Sequence, residues 1–230
     1  MGEDERLVLV TCSQSSDRVI VTLSNGEILE LAPAAVPTSF PKTGERISAP
    51  MLQELRAGAE RKLVARRLFQ ILGRRLYPVT FLRDKLIREG FAQTNVDTVL
   101  ESFAAENLHT DRHYAEAFCR DTIRRRPVGR RYLRAKLQRQ GVPAEIVTTV
   151  VEDLIPPERE LELALAAGQR RWQREPAQGG RRSEARVIRF LLSRGFSTTL
   201  ARQAAQSTAP RSVTSEPLVE PEASEKEDDV

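Results

Sequence analysis

The sequence predicts a mainly α protein: an elongated tandem array of three three-helix repeats, preceded by a small N-terminal β-hairpin segment and followed by a disordered acidic C-terminal tail. Three observations lead there. Helical periodicity runs almost unbroken from Met51 to Ala205, one leucine–glycine signature occurs three times along it, and both ends of the chain differ from that body in composition.

The first 47 residues are β-like. Leu7-Val-Leu-Val-Thr-Cys12 and Arg18-Val-Ile-Val-Thr-Leu23 are apolar, largely β-branched runs, and Ile28-Leu-Glu-Leu31 resumes the pattern after Ser24-Asn25-Gly26-Glu27. Asn-Gly between two such runs is a strong hairpin signal, because both positions tolerate positive φ. Pro33, Pro37 and Pro41 end the segment. A sheet this small is not stable alone, so it is expected to pack on the helical body next to it.

Ser48 or Ala49 precedes a helix with Pro50 in its first turn, where a missing N–H is harmless. Beyond it, three segments share one pattern: Leu82 to Phe91, Leu133 to Val142 and Val187 to Phe196. Each has an apolar residue eight before a glycine, a leucine four before it, and an apolar residue just after. The four-residue spacing puts both apolar side chains on one helix face. Gly90, Gly141 and Gly195 then sit where a helix end needs the left-handed conformation, and are read as structural caps.

A further helix lies upstream of each segment, at about Glu60–Leu72, Arg112–Arg125 and Glu158–Trp172. Another follows downstream, with Val96, Ile146 and Leu200 as first apolar anchors. The glycine-to-glycine periods are 51 and 54 residues, too long for tetratricopeptide or HEAT units. The expected organisation is a β-hairpin segment at 1–47, repeats at 48–110, 111–156 and 157–207, and a tail at 208–230. The tail, rich in Ser, Thr, Pro and acid, lacks the apolar surface needed to order itself.

Composition narrows the function classes. Cys12 and Cys119 are far apart, which argues against a disulfide framework and for a reducing compartment. Two cysteines and two histidines do not make a zinc quartet, so no metal or cofactor is expected. No apolar run approaches the ~18 residues of a membrane span, and the acidic start Met1-Gly-Glu-Asp-Glu does not suit a signal peptide. There is no phosphate loop with lysine, no GxSxG and no HExxH, so no enzyme is expected.

Charge is sorted along the chain. Arg61 to Arg202 holds 29 Lys and Arg against 16 Asp and Glu, whereas Glu216 to Val230 holds seven acids and one lysine. A basic body with an acidic tail suits a polyanionic partner, although charge alone fits a solvated surface equally well. If a tail of that charge occupies the basic surface of the body, removing it is expected to tighten DNA binding.

Arginine is the informative residue. Arg74-Arg75, the stretch Arg124, Arg125, Arg126, Arg130, Arg131 and Arg134, and Arg170-Arg171 with Arg181-Arg182 lie at or near the junction of the first and second helix in each repeat. Arginine donates two parallel hydrogen bonds to a phosphate and keeps its charge. A row of them would bind nucleic acid in a salt-dependent, sequence-tolerant way. A single doublet is explained as readily by the helix dipole. In the stretch Arg124 to Arg134, six arginines face little local acid, and binding is the better reading. Trp172 and Tyr132 are read as partly buried packing residues. Asp111 is read as the N-cap of the helix beginning at Arg112, with His109 and His113 as loop and helix-surface histidines.

The middle repeat resembles the RecX family. The residues that carry this are Asp111-Arg-His-Tyr114-Ala115 and Arg124-Arg-Arg-Pro-Val-Gly129-Arg-Arg-Tyr-Leu133-Arg-Ala-Lys-Leu137-Gln-Arg-Gln-Gly141-Val142. The family pattern is an Asp-Asp pair, an aromatic–alanine step, a basic loop with glycine, and a leucine-paced helix ending in glycine and a small apolar residue. Arg75, Leu82, Leu86 and Gly90-Phe91 extend the likeness into the first repeat, and the opening hairpin with Gly44 extends it to Leu7. Thr110 departs from the pattern, standing where the first aspartate is usual. So do a long insertion from Gln173 to Gly180 and the acidic tail. The resemblance implies a cytoplasmic, cofactor-free bacterial regulator that binds the RecA filament on single-stranded DNA and restrains its recombinase, ATPase and co-protease activities, modulating DNA repair and the SOS response; contact with duplex DNA is also open, and a monomer is expected.

Two other classes fit parts of the sequence. A helix-turn-helix transcription regulator would prefer one duplex site strongly over random DNA, and the triplication argues against it. A helical protein-binding scaffold would show no salt-steep DNA binding.

Overall fold

The protein is seen in a computed structural model that describes residues 9–15, 18–37, 39–176 and 180–210. Leu7 and Val8 of the first expected strand, residues 177–179 of the insertion and the tail from 211 onward lie outside the described residues.

Strands β1 (Leu9–Gln14), β2 (Val19–Leu23) and β3 (Ile28–Leu31) form an antiparallel sheet in the order β1-β2-β3. The β2–β3 connection differs in detail from the expected Asn-Gly turn. The Leu23 N–H donates to the Glu27 carbonyl, leaving a three-residue loop in which only Gly26 has positive φ, +85°. Asn25 instead uses its side chain to accept from the Glu27 N–H at 3.0 Å. Three-residue loops closing on a left-handed glycine are a common hairpin form.

The described residues contain nine α-helices, in threes: α1 (Ala49–Leu72), α2 (Val79–Arg88), α3 (Gln93–Ala105); α4 (Asp111–Arg125), α5 (Arg130–Arg139), α6 (Ala144–Leu154); and α7 (Pro157–Trp172), α8 (Gly180–Ser193), α9 (Thr198–Ser207). Helix α1 starts where Ser48 and Pro50 place it, with Ser48 at the N-cap position and Pro50 in the first turn, and it runs as one 24-residue helix through the stretch Glu60–Leu72 expected as the repeat's first helix. Gly58 lies within it, buried, at a place where no side chain would fit without a shift. A Cβ there would lie 2.9 Å from the Leu31 side chain, so the glycine lets β3 sit directly on the helix.

Contacts gather the chain into two compact units. One runs to Ala117 and includes Gln138–Val147; the other comprises Phe118–Leu137 and the chain from Thr148. In the first, α1 joins two cores. Its first half covers Leu9, Val19, Val21, Leu23 and Leu31 with Leu52 and Leu55, burying the sheet as its size requires. Its second half packs Val64 and Leu68 against Leu82, Leu86, Val96 and Phe103. In the second unit α7, α8 and α9 pack on one another over Leu163, Val187, Leu191 and Phe196. Trp172 is 5% exposed, and its Nε1 donates to the Ala205 carbonyl at 2.9 Å.

The signature glycines all adopt the left-handed conformation: φ is +99° at Gly90, +82° at Gly141 and +83° at Gly195. Two of them also mark close approaches. A Cβ on Gly141 would lie 2.6 Å from Thr80 Oγ1 at the start of α2, and one on Gly195 would collide with the backbone of Tyr132 at the start of α5. Gly90 has no such neighbour within 4 Å. The end of a repeat's second helix thus seats on the start of the preceding repeat's second helix, where there is one.

Asp111 is a correction. The N-cap of α4 is Thr110, whose Oγ1 accepts from the His113 N–H at 3.2 Å. Asp111 is the first residue of the helix, and its Oδ1 accepts from the N–H of Val79 at the start of α2, 2.9 Å away. His109 lies in the loop before α4, as expected, and is buried there at 3% exposure, with Nε2 2.8 Å from the Tyr77 carbonyl oxygen.

Candidate nucleic-acid interface

The arginines named from the sequence meet different fates. Arg124 pairs with Asp121 at 2.8 Å, Arg134 with Glu152 at 2.8 Å, and Arg130 donates from Nε to the Ile155 carbonyl at 2.7 Å with Glu160 beside it at 3.5 Å. The expectation that this stretch faces little acid is therefore corrected for these three. Glu152 and Glu160 are far along the sequence and are brought in by α6 and α7. Glu160 also accepts from the Arg130 N–H at 2.9 Å, so its carboxylate caps α5. Arg125, Arg131, Arg181 and Arg182 are exposed, and their side chains make no ion pair among the described residues.

In the first unit Arg74 lines a shallow cleft with Arg67, Tyr77 and Lys85. That cleft holds its own counter-charge. Glu89 binds Arg67 at 2.8 Å and Lys85 at 2.9 Å, and these partners, Arg67 foremost, hold its carboxyl down to about 2. The Arg75 guanidinium lies 5.5 Å from the centre of the Tyr77 ring, which stacks on Phe81.

The second unit is different. Arg126, Arg170, Arg171, Arg174 and Arg194 line one cleft of about 200 Å³, with Phe190 in its wall. Three elements place them: the α4–α5 loop brings Arg126, the last turn of α7 and the residues just after it bring the next three, and the residue after α8 is Arg194. Arginine is favoured at such helix ends because the last carbonyls carry partial negative charge. Spacing of four along the chain aligns Arg170 with Arg174 and Phe190 with Arg194.

Two of the guanidinium groups are fixed by the ring. The Cζ atoms of Arg171 and Arg194 lie 5.8 and 4.9 Å from the Phe190 centroid, a favourable cation–π placement. Arg171 is further held by Glu175 at 2.5 Å. Glu175 is 3% exposed in its side chain and also binds Arg186 at 2.6 Å; Arg186 first, then Arg171, holds its carboxyl below the ordinary range. On the opposite side Arg126 donates to the Tyr132 hydroxyl and lies 4.9 Å from that ring's centre. The side chains of Arg170 and Arg174 are exposed and without a partner among the described residues.

A second cleft shares Pro127 and Arg170 with the first and adds Arg124 and Arg159. Glu162 also lines it and pairs with Arg159 at 2.5 Å, and Arg124 is paired with Asp121, so the second cleft carries its own counter-charge. Sequence reasoning found Arg126, Arg170 and Arg171 but missed Arg174 and Arg194, which stand alone rather than in doublets. Among the described residues no three His, Cys, Asp or Glu side chains come together in a way that could hold a metal ion, and no helix is long and apolar enough to cross a membrane.

Comparison with known proteins agrees with this architecture. The models of the second and third three-helix domains of RecX match residues 111–151 and 158–205. A regulatory protein RecX of Thermus thermophilus is 37% identical over 135 residues, which span 59% of this chain and 84% of that protein. The regulatory protein RecX of Chromohalobacter salexigens is 32% identical over 138 residues, 59% of this chain and 86% of that one. A crystal structure of a regulatory protein RecX superposes on 87% of this chain and 99% of its own with a TM-score of 0.70 at 18% identity, a likeness of fold. RecX from Lactobacillus salivarius gives a TM-score of 0.60 over 65% of this chain and 96% of its own at 17% identity.

Proposed function

Since the chain belongs to the RecX family of regulatory proteins, we propose that it regulates RecA by binding the RecA filament on single-stranded DNA and restraining its recombinase, ATPase and co-protease activities. Through that filament it modulates DNA repair and the SOS response. It acts by occupancy and not by catalysis.

The observation that supports this most is the arginine cleft of the second unit, where five guanidinium groups converge and one carboxylate balances one of them. A filament on single-stranded DNA presents phosphates at regular spacing without fixing base identity. Guanidinium groups contact phosphates from any sequence, so such a surface suits a partner that must be recognised wherever it assembles. Arg125 and Arg131, exposed and without an ion pair among the described residues, add to the positive field of this unit.

The test is the single-stranded-DNA-dependent ATPase and strand exchange of the cognate RecA, with and without a substoichiometric amount of this protein. Suppression of both, with no effect on a DNA-independent ATPase, is expected. A folded protein that leaves both unchanged overturns the proposal.

A further inference from the structure

Like charges gathered in one place repel, so a surface arginine with no task swings into solvent away from its neighbours. The cleft of the second unit does the reverse. Arg126, Arg170, Arg171, Arg174 and Arg194 converge on about 200 Å³. Phe190, Glu175 and Tyr132 hold Arg171, Arg194 and Arg126 in place, so these guanidinium groups are fixed before any ligand arrives. The Nε of Arg171 is buried and has no hydrogen-bond partner among the described residues. Burial, and then the charges of Arg126 and Arg174, make the Arg194 guanidinium easier to deprotonate than usual. A group held under that strain is relieved by an anion.

We infer that this cleft is a discrete phosphate receptor, in which the five guanidinium groups chelate one phosphate group, taken from a single-stranded nucleic-acid backbone or from a free phosphoanion. Its size suits a single tetrahedral group and not an extended strand. The planar fork of arginine matches phosphate oxygens in pairs, which a spherical halide ion does not. Phe190, with the guanidinium groups of Arg171 and Arg194 against it, supplies the apolar part of the wall. The inference deepens the filament reading: its nucleic-acid arm rests on that reading, whereas the anion arm needs no RecA.

Calorimetric titration of the whole chain with pyrophosphate and with oligothymidylate, in chloride buffer and without RecA, tests it. Pyrophosphate should bind at one site and compete with oligothymidylate. Arg174→Gln and Arg194→Gln should each weaken both ligands about tenfold or more. The exposed Arg202→Gln on α9 should weaken neither. Removing one phosphate contact should also lower the salt slope of oligothymidylate binding by about 0.7.

If pyrophosphate binds and the variants weaken it, but oligothymidylate is unaffected, the receptor stands and its ligand is the free phosphoanion. No saturable pyrophosphate binding to the folded protein overturns the inference, as does binding that both variants leave intact. Should a variant fail to fold, the wild-type chain decides. Pyrophosphate should protect Arg170, Arg174 and Arg194, but not Arg202, from an arginine-specific dicarbonyl reagent read by peptide mass spectrometry. Equal modification with and without pyrophosphate overturns the inference. Failure of RecA inhibition with anion binding intact counts against the filament reading alone.

Discussion

The carboxylate of Asp111, the first residue of α4, accepts a hydrogen bond from the backbone N–H of Val79 at 2.9 Å and so caps a helix 32 residues earlier. The same device recurs one repeat later, where Glu160 in the first turn of α7 accepts from the N–H of Arg130 at 2.9 Å. Each repeat's opening helix thus closes the second helix of the repeat before it. Replacing Asp111 by alanine leaves a helix-start N–H without its acceptor and should cost about 1–3 kcal/mol in urea denaturation. Asp111→Asn keeps an oxygen acceptor and should lose less. Equal stability of both variants and the wild type would show that the contact is incidental.

The three signature glycines should respond unequally to alanine. All need positive φ, which costs an L-residue about 1–2 kcal/mol. At Gly90 that is the whole penalty, because an added Cβ meets nothing within 4 Å. At Gly195 the Cβ also meets the Tyr132 backbone, which belongs to a packed helix and yields little. Gly195→Ala should therefore lower the thermal midpoint clearly more than Gly90→Ala. Equal shifts would mean that the close approach carries no weight.

His109 should make stability depend on pH. Burial lowers its pKa below the ordinary 6.5, against smaller opposing effects of the Tyr77 carbonyl and Asp111. As pH falls, the unfolded chain takes up the proton first, so stability declines once pH drops through about 6.5, by at most about 1.4 kcal/mol per pH unit. Urea denaturation at pH 7.5 and 5.5 should show this loss in the wild type. It should be smaller in His109→Gln, which keeps a donor for the Tyr77 carbonyl. An identical loss in both would assign it to other groups.

The acidic tail offers a further test. From Glu216 to Val230 it carries seven acids and one lysine. The cut belongs after Pro210 and not at the end of the apolar pattern, because Thr208 still bonds the Ala204 carbonyl through Oγ1 at 2.6 Å. A tail competing for the arginine cleft predicts tighter single-stranded DNA binding by the truncated chain at low salt, with the gain shrinking as salt rises. Unchanged affinity at low salt would contradict that competition.

Much of the architecture is legible because it is local. Leu82 and Leu86, Leu133 and Leu137, and Val187 and Leu191 are all buried, as their four-residue spacing requires, and each pair precedes a left-handed glycine. What escapes the sequence depends on distant partners. Local pattern does not reveal that Glu152 and Glu160 neutralise Arg134 and Arg130, or that Asp111 caps α2. Nor does it reveal that Leu31 occupies the space beside Gly58, which lets β3 sit directly on α1. Asn107 ends α3 at φ 56°, doing the work elsewhere given to glycine. Of the basic cleft, the doublet at Arg170 was visible. Arg174 and Arg194 were not, although their spacing of four from Arg170 and Phe190 held the signal.

The most direct measurement compares the wild-type protein with the triple variant Arg126→Gln, Arg170→Gln, Arg194→Gln in suppressing the single-stranded-DNA-dependent ATPase of the cognate RecA. Circular dichroism would establish that the variant is folded. The wild type should suppress the ATPase at substoichiometric amounts, and the folded variant should need at least tenfold more. Equal suppression by both would show that the arginine cleft is not where this chain engages the filament.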